Sequence, residues 1–107
     1  MDFAILVDQI CDKLPRKHWE LSSQLRRAAN SVHSNIAEGN GRGSIADYLR
    51  HLSMSNASLN EAESDLHFVA RRFGDRTGAA RALQLAVQVR RPLLGLVKKL
   101  REKRNEA

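Results

Sequence analysis

Residues 45–73 run for 29 positions without a glycine or a proline, and their large apolar side chains return at heptad spacing: Ile45, Leu49, Leu52, Leu59, Leu66 and Phe73. That period is one face of an α-helix, and no strand of ordinary length can use it. Asn56, and Glu63 or Ala62, fill the intermediate heptad positions. A polar residue in such a seam costs stability and fixes register or partner. A helix this long cannot bury its own stripe, so the rest of the chain has to supply covering faces.

The neighbouring segments have the right pattern. Leu21, Leu25, Ala28, Val32 and Ile36 step by 4, 3, 4 and 4, which predicts a second helix starting near Pro15 or Arg16. Its end is expected at Gly39, as a residue free to take positive φ. Residues 2–13 predict a shorter first helix on Phe3, Leu6 and Ile10, closed by Leu14-Pro15. Ser44, with Asp47 three residues on, reads as the capping box of the third helix. After Gly74-Asp75-Arg76-Thr77-Gly78, a fourth helix is expected over about 78–104 on Leu83, Ala86, Val87, Val89, Leu93, Val97 and Leu100. Pro92 inside it predicts a kink near 89–91, and the tail after Arg104 is expected to fray.

Composition agrees. Leu (14) and Ala (13) dominate, against 5 aromatics, so an all-β fold is nearly excluded. The length of 107 residues suits one domain spanning 1–107. Short loops imply an all-α, antiparallel up-down four-helix bundle with a short first helix and two long C-terminal helices. The first helix covers about half of what the third exposes, so part of the apolar surface is expected to need another subunit. The longest apolar runs are far shorter than a membrane span, and Asp2 and Asp8 spoil a signal peptide, so a cytoplasmic protein with no membrane partner is expected.

The net charge of +6 is unevenly placed. Arg90, Arg91, Lys98, Lys99, Arg101, Lys103 and Arg104 face only Glu102 and Glu106 in the last eighteen residues, a balance of +5. The remainder, eleven basic against ten acidic side chains, is nearly neutral. A basic end attracts RNA or DNA through phosphate contacts and counterion release; equally, cations in a last helical turn complement the helix dipole. No aromatic residue interleaves these cations, so charge or shape recognition is expected rather than base reading.

Enzymatic chemistry finds little support. The single Cys11 excludes an internal disulfide and is expected to be a small core residue. His18, His33, His51 and His67 make no i, i+4 pair, so no metal and no cofactor are expected. Pairing the second and third helices about their loop places residue i level with roughly residue 83 − i; His33 and His51 are then nearly level, with both off the core stripes. The glycine-rich loop 39–43 follows no strand and carries no Lys-Ser/Thr pair, so it reads as a helix–helix turn, although Arg42 and the amides after Ser44 could hold an anion. No nucleophile–base motif accompanies these residues.

The most informative pattern is polar. Gln24, Arg27, Ser31, Asn35 and Glu38 step by 3, 4, 4 and 3 along the second helix, about 110° round from its apolar stripe. Short hydrogen-bonding residues beside a core suggest a second, partly buried interface. Ser58 and Glu61 of the third helix fall near Arg26 or Arg27, and an Arg27–Glu61 ion pair, within or between subunits, is expected.

At these residues the chain resembles a known family. Leu14-Pro15, the run QLRRAANSVHSNIAEG from Gln24 to Gly39, and Arg42 read in order like the four-helix-bundle proteins first noticed as reading frames in intervening sequences of bacterial 23S ribosomal RNA genes. Tyr48, Leu49, Leu52, Ser58, Leu59, Glu61 and Leu66 continue the match, which is clear over about residues 5–73. The resemblance implies a ring-shaped homopentamer and no enzymatic activity. It brings in the accessory variability proteins of diversity-generating retroelements, which bind nucleic acid and a reverse transcriptase. It marks Gln24, Arg27, Ser31, Asn35, Glu38, Arg42, Ser58 and Glu61 as motif and interface residues. The family usually carries a longer first helix with a tryptophan, glycine where Ala57 stands, and a larger apolar residue where Ala62 stands.

Overall fold

A computed structural model describes residues 2–106, and among these every regular element is helical. Helix α1 spans Asp2–Lys13, α2 Trp19–Asn40, α3 Ile45–Phe73 and α4 Ala79–Glu106; short 3-10 turns at Arg16–His18 and Asp75–Thr77 lead into α2 and α4. α1 packs on α2 and α4, and α3 packs on the same two from the other side, forming a helical bundle of 51 × 20 × 18 Å. No helix among the described residues is long and apolar enough to cross a membrane.

The loops follow their local chemistry, with corrections at three points. Leu14-Pro15 closes α1, but α2 begins only at Trp19, after a 3-10 turn in which the His18 amide donates to the Pro15 carbonyl at 2.9 Å. Ser44 caps α3, accepting from the Asp47 amide at 3.1 Å. The other half of the capping box is missing, because the Asp47 carboxylate turns to Arg50 at 3.8 Å. The α3–α4 turn rests on Gly74 and Gly78, at φ +84° and +90°, while the Thr77 hydroxyl donates to the Gly74 carbonyl and accepts from the Ala79 amide. α4 continues helically through Pro92 and as far as Glu106, two residues beyond the expected fraying point. Pro92 and Gln88 are exposed, so the carbonyl that loses its donor lies on a wet side of the helix.

The main core is built where α1 is present. Phe3, Val7, Ile10, Cys11 and Leu14 close over Leu25, Ala28, Ala29 and Val32 of α2, Leu59, Ala62, Leu66 and Val69 of α3, and Ala79, Ala82 and Ala86 of α4. Each fully buried large aliphatic side chain contributes about 1.5–3 kcal/mol. Burial also raises the Cys11 thiol pKa, with Arg26 opposing that shift less strongly, so the cysteine is a packed, protonated side chain. α1 is only about 18 Å long against about 44 Å for α3. Beyond its reach Leu52 and Leu93 are still buried, but they stand outside the main cluster. Ile36, Ile45, Leu49, Leu96, Val97 and Leu100 are only half-buried there, and Leu94 is exposed.

Gly39 is not a positive-φ cap. It lies inside α2, buried, where an added Cβ would come within 2.8 Å of the His51 Cβ and 2.9 Å of the Tyr48 ring. Glycine is required there by the close approach of α2 and α3. Gly39→Ala gains up to about 1 kcal/mol of helix propensity and loses about 1–3 kcal/mol to overpacking. Thermal unfolding followed by circular dichroism is expected to show a lower Tm for this variant; an unchanged or higher Tm would show that α3 can yield at this point.

Candidate nucleic-acid interface and the polar seam

The polar stripe of α2 meets a matching stripe on α3. The Ser58 hydroxyl donates to the Ser31 hydroxyl at 3.0 Å, and the Asn35 amide donates to the Ser31 hydroxyl and carbonyl, both at 2.9 Å. The Asn35 carbonyl oxygen lies 3.1 Å from Nδ1 of His51, and Arg50 donates toward Nε2 of the same ring at 3.4 Å. A neutral imidazole with its proton on Nδ1 satisfies both contacts. The Ser55 hydroxyl donates across the interface to the Val32 carbonyl at 2.6 Å. Farther along, the Gln24 amide donates to both Asp65 carboxylate oxygens, at 3.1 and 3.0 Å.

Much of the stripe expected to face a second interface is thus engaged within the chain. His51, expected off the core, is buried against α2, where its ring meets Asn35, and the register differs from the estimate by 3–6 residues. Partners lie at roughly 86 − i to 89 − i rather than 83 − i, a shift to which the run of α2 on to Asn40 contributes part. The signal overlooked in the sequence is on α3, where His51, Ser55, Ser58, Ala62 and Asp65 step by 4, 3, 4 and 3 as small or polar residues.

The expected Arg27–Glu61 ion pair is not formed within the chain. Both residues line one depression of about 220 Å³ with Ser31 and Ser58, yet both remain exposed and no ion pair joins them among the described residues. A hydrated pair of this kind gains too little to order two long side chains. The neighbouring Arg26 makes the ion pairs instead, reaching Asp8 and Asp12 of α1 at 2.7 Å each. Arg42 pairs with Glu38 at 2.7 Å, so it is not a free cation at the Ser44 helix terminus.

The basic end divides in the same way. Arg90 grips Glu63 of α3 through both guanidinium nitrogens and donates to the Asn60 side chain at 2.9 Å. This pair is about three-quarters buried, and the Glu63 contact raises the Arg90 pKa further. Arg90 therefore ties α4 to α3 and is withdrawn from the expected phosphate-binding set. Arg91, Lys98, Lys99, Arg101, Lys103 and Arg104 are exposed and carry no ion pair among the described residues. They line a helix that has left the main core, and Glu102 and Glu106 are the acidic residues among them. One turn from Asn60, the buried side-chain oxygen of Asn56 has no hydrogen-bond partner among the described residues.

Two variants separate these roles. Arg90→Ala leaves the Glu63 carboxylate half-desolvated, so the urea midpoint is expected to fall by the equivalent of about 1–3 kcal/mol. Lys98→Ala with Lys99→Ala is expected to stay within about 0.5 kcal/mol of the parent. A different titration marks Asp65. Burial raises its pKa, Gln24 opposes the shift by donating two hydrogen bonds, and the Glu61 charge adds to the rise. The folded carboxyl then holds its proton to higher pH than the unfolded one, so this group lowers stability above its folded pKa. That penalty fades as pH falls toward the ordinary carboxylate value of about 4. Asp65→Asn is accordingly expected to raise Tm at pH 7, with a gain that shrinks on acidification. A gain that is constant across that range would assign the effect to something other than ionisation.

The free cations bear directly on how far comparison with known proteins reaches. The family described as 23S rRNA-intervening sequence protein matches residues 1–95. That span contains the whole polar seam, the Arg90–Glu63 pair and Arg91, and stops short of Lys98, Lys99, Arg101, Lys103 and Arg104. No match was found among curated proteins. The matched residues take in the Gln24–Gly39 run and its partners on α3, and on that span the chain belongs to the 23S rRNA-intervening sequence protein family.

Proposed function

We propose that the protein is a non-enzymatic RNA-binding accessory factor, an antiparallel up-down four-helix bundle that assembles into a cyclic homo-oligomer and works in the cytoplasm. The observation that carries the RNA reading is the set of six exposed, uncommitted cations from Arg91 to Arg104 of α4, five of them on its last turns. An antiparallel arrangement is supported by the α2–α3 pairs: as the α2 partner advances from Gln24 to Ser31 to Asn35, the α3 partner retreats from Asp65 to Ser58 to His51. Oligomerisation is supported by the half-covered apolar surface beyond α1, by exposed Met54, Phe68, Val87 and Leu94, and by the unsatisfied Asn56 oxygen. A homopentamer is the assembly the family resemblance implies. In it, the exposed Glu61 edge of the depression that Arg27 also lines would be one place for contact with another subunit, leaving the opposite face of Arg27 open.

Cyclic symmetry repeats every patch. With Arg90 neutralised by Glu63, each chain offers about +4 beyond residue 90, and five chains offer about +20 on a common rim. Weak phosphate contacts then act together through avidity. A second reading, a structural or protein-adaptor ring, is favoured by the open apolar concavity of about 500 Å³ between Val87, Arg91 and Pro92 on α4. A reverse transcriptase is one such protein partner suggested by the resemblance.

Binding to a fluorescent RNA hairpin tests the first reading. Six phosphate contacts predict a log–log salt slope near −5 and a loss of roughly 10³-fold in affinity between 50 and 200 mM salt. Absent or salt-independent binding would overturn it, and recovery of protein without nuclease-sensitive material in a pull-down would favour the adaptor. Sedimentation equilibrium is expected to give about 60 kDa, five chains of 12.0 kDa.

A further inference from the structure

Trp19 is the first residue of α2 and is 66% exposed. It lies off the apolar stripe of its own helix, so it takes no part in the bundle core. A single exposed apolar side chain calls for no explanation, but this one forms part of a concavity of about 540 Å³ where α1 ends and α2 begins. Arg16, Arg26, Arg27, Ser23 and Asn30 line the same concavity. Arg26 is committed to Asp8 and Asp12, a triad that keeps one negative charge on the α1 wall, so an anionic group is favoured only on the side of Arg16 and Arg27. Arg16 and Arg27 are exposed and without a carboxylate partner among the described residues.

The concavity therefore offers one flat aromatic face, two uncommitted guanidinium groups, a hydroxyl and an amide. An apolar side chain from a second copy would cover the indole but strip water from two unpaired cations. An acidic peptide would satisfy the cations and leave the indole without a partner. A nucleotide meets all of these groups at once, because its base stacks on an aromatic face while its phosphate accepts bidentate hydrogen bonds from guanidinium. We propose that the Trp19 concavity binds an unpaired nucleotide of RNA, the base stacked on the indole and the flanking phosphate held by Arg16 and Arg27.

This site rests on the reading of the chain as an RNA-binding protein but uses other residues in another place. α4 begins beside α1, where Gly78 stands against Ile10 and Leu6, and Lys98–Arg104 follow roughly 30–40 Å farther along the helix. The α4 cations would grip phosphates of any polyanion. The Trp19 concavity requires a base that is free of its pair, so together they would select RNA in which a folded region adjoins a single-stranded one.

The chain contains one tryptophan, so its fluorescence reports on this site alone. The probes are an eight-residue oligouridylate and inorganic polyphosphate, each titrated against the parent, Trp19→Ala, Trp19→Phe and a Lys98→Ala/Lys99→Ala variant. Oligouridylate is expected to quench the parent saturably, and polyphosphate to bind without quenching. Trp19→Ala is expected to weaken oligouridylate by about tenfold or more, with Trp19→Phe recovering part of the loss and polyphosphate unaffected by either. The lysine variant is expected to weaken polyphosphate while quenching persists. Failure of oligouridylate to quench overturns the site, as does equal weakening of both probes by Trp19→Ala, or quenching that follows protein concentration without RNA, which would place a second copy on the indole. The two readings fail separately: salt-dependent hairpin binding without quenching sinks only the Trp19 site, and quenching with salt-independent hairpin binding sinks only the α4 rim.

Discussion

The close approach of α2 to α3 is the constraint on which the rest of the bundle depends. A serine hydroxyl on α3 reaches a backbone carbonyl of α2, and a buried glycine on α2 lies where any Cβ would strike His51 and Tyr48. Helices pressed this closely leave little room for large side chains at the points of contact, which are occupied by Ala28, Ser31 and Gly39 of α2 and by Ser55 and Ser58 of α3. Small residues bury little apolar area, and hydrogen bonds supply the pairing instead. Each is worth only about 0.5–1.5 kcal/mol net, but leaving one unmade costs more than making it gains. A seam of this kind therefore sets register more sharply than it adds stability. The packing of α1 and α4 follows, because the α2–α3 pair is the platform to which both attach.

α1 attaches over less than half of that platform. It supplies Phe3, Val7, Ile10 and Cys11 to the core, with Leu14 just after it, and two carboxylates for Arg26, and its short length divides the molecule into a well-covered half and a thinly covered half. In the covered half, α4 contributes alanines, since Ala79, Ala82 and Ala86 leave space for Phe3, Val7 and Ile10. In the thin half, α4 turns to larger side chains, of which Leu93 is buried while Leu96, Val97 and Leu100 find only partial cover. The residue sizes along α4 thus make room for α1 where it is present and leave apolar surface where it is not. The proposed oligomer is the natural way for such a surface to be covered.

Helix number, type and approximate limits were legible in the sequence because heptad stripes and turn residues are local signals. Gly39 was misread because the same residue serves two purposes, and a helix-ending glycine cannot be told from a close-contact glycine without knowing what lies opposite. The register error had the same root: reading Gly39 as the end of α2 shortened that helix, and the end of one helix shifts every cross-helix pair. Of the polar stripe, the membership was legible and the partners were not. Ser31 and Asn35 bond to Ser58 and His51, while Arg27 and Glu61 lie in one depression without pairing. Arg90 could not be separated from its basic neighbours by composition, since only the packing of α4 on α3 brings Glu63 to it.

Charge is partitioned by the same packing. In the body of the bundle, Arg26, Arg42, Arg50 and Arg90 each find a carboxylate, which accounts for why a segment with nearly equal numbers of acids and bases is electrostatically quiet. Among the exposed cations without an ion pair among the described residues, six lie between Arg91 and Arg104 on α4 and two, Arg16 and Arg27, stand beside Trp19, while Arg71, Arg72, Arg76 and Arg81 lie elsewhere. Uncompensated charge at both ends of an elongated molecule raises the local concentration of a polyanion at each. It also makes the two ends chemically unequal, since only one carries an aromatic face. A ligand that satisfied both would have to be anionic throughout and unpaired in part, and that description narrows the proposed partner more than net charge does.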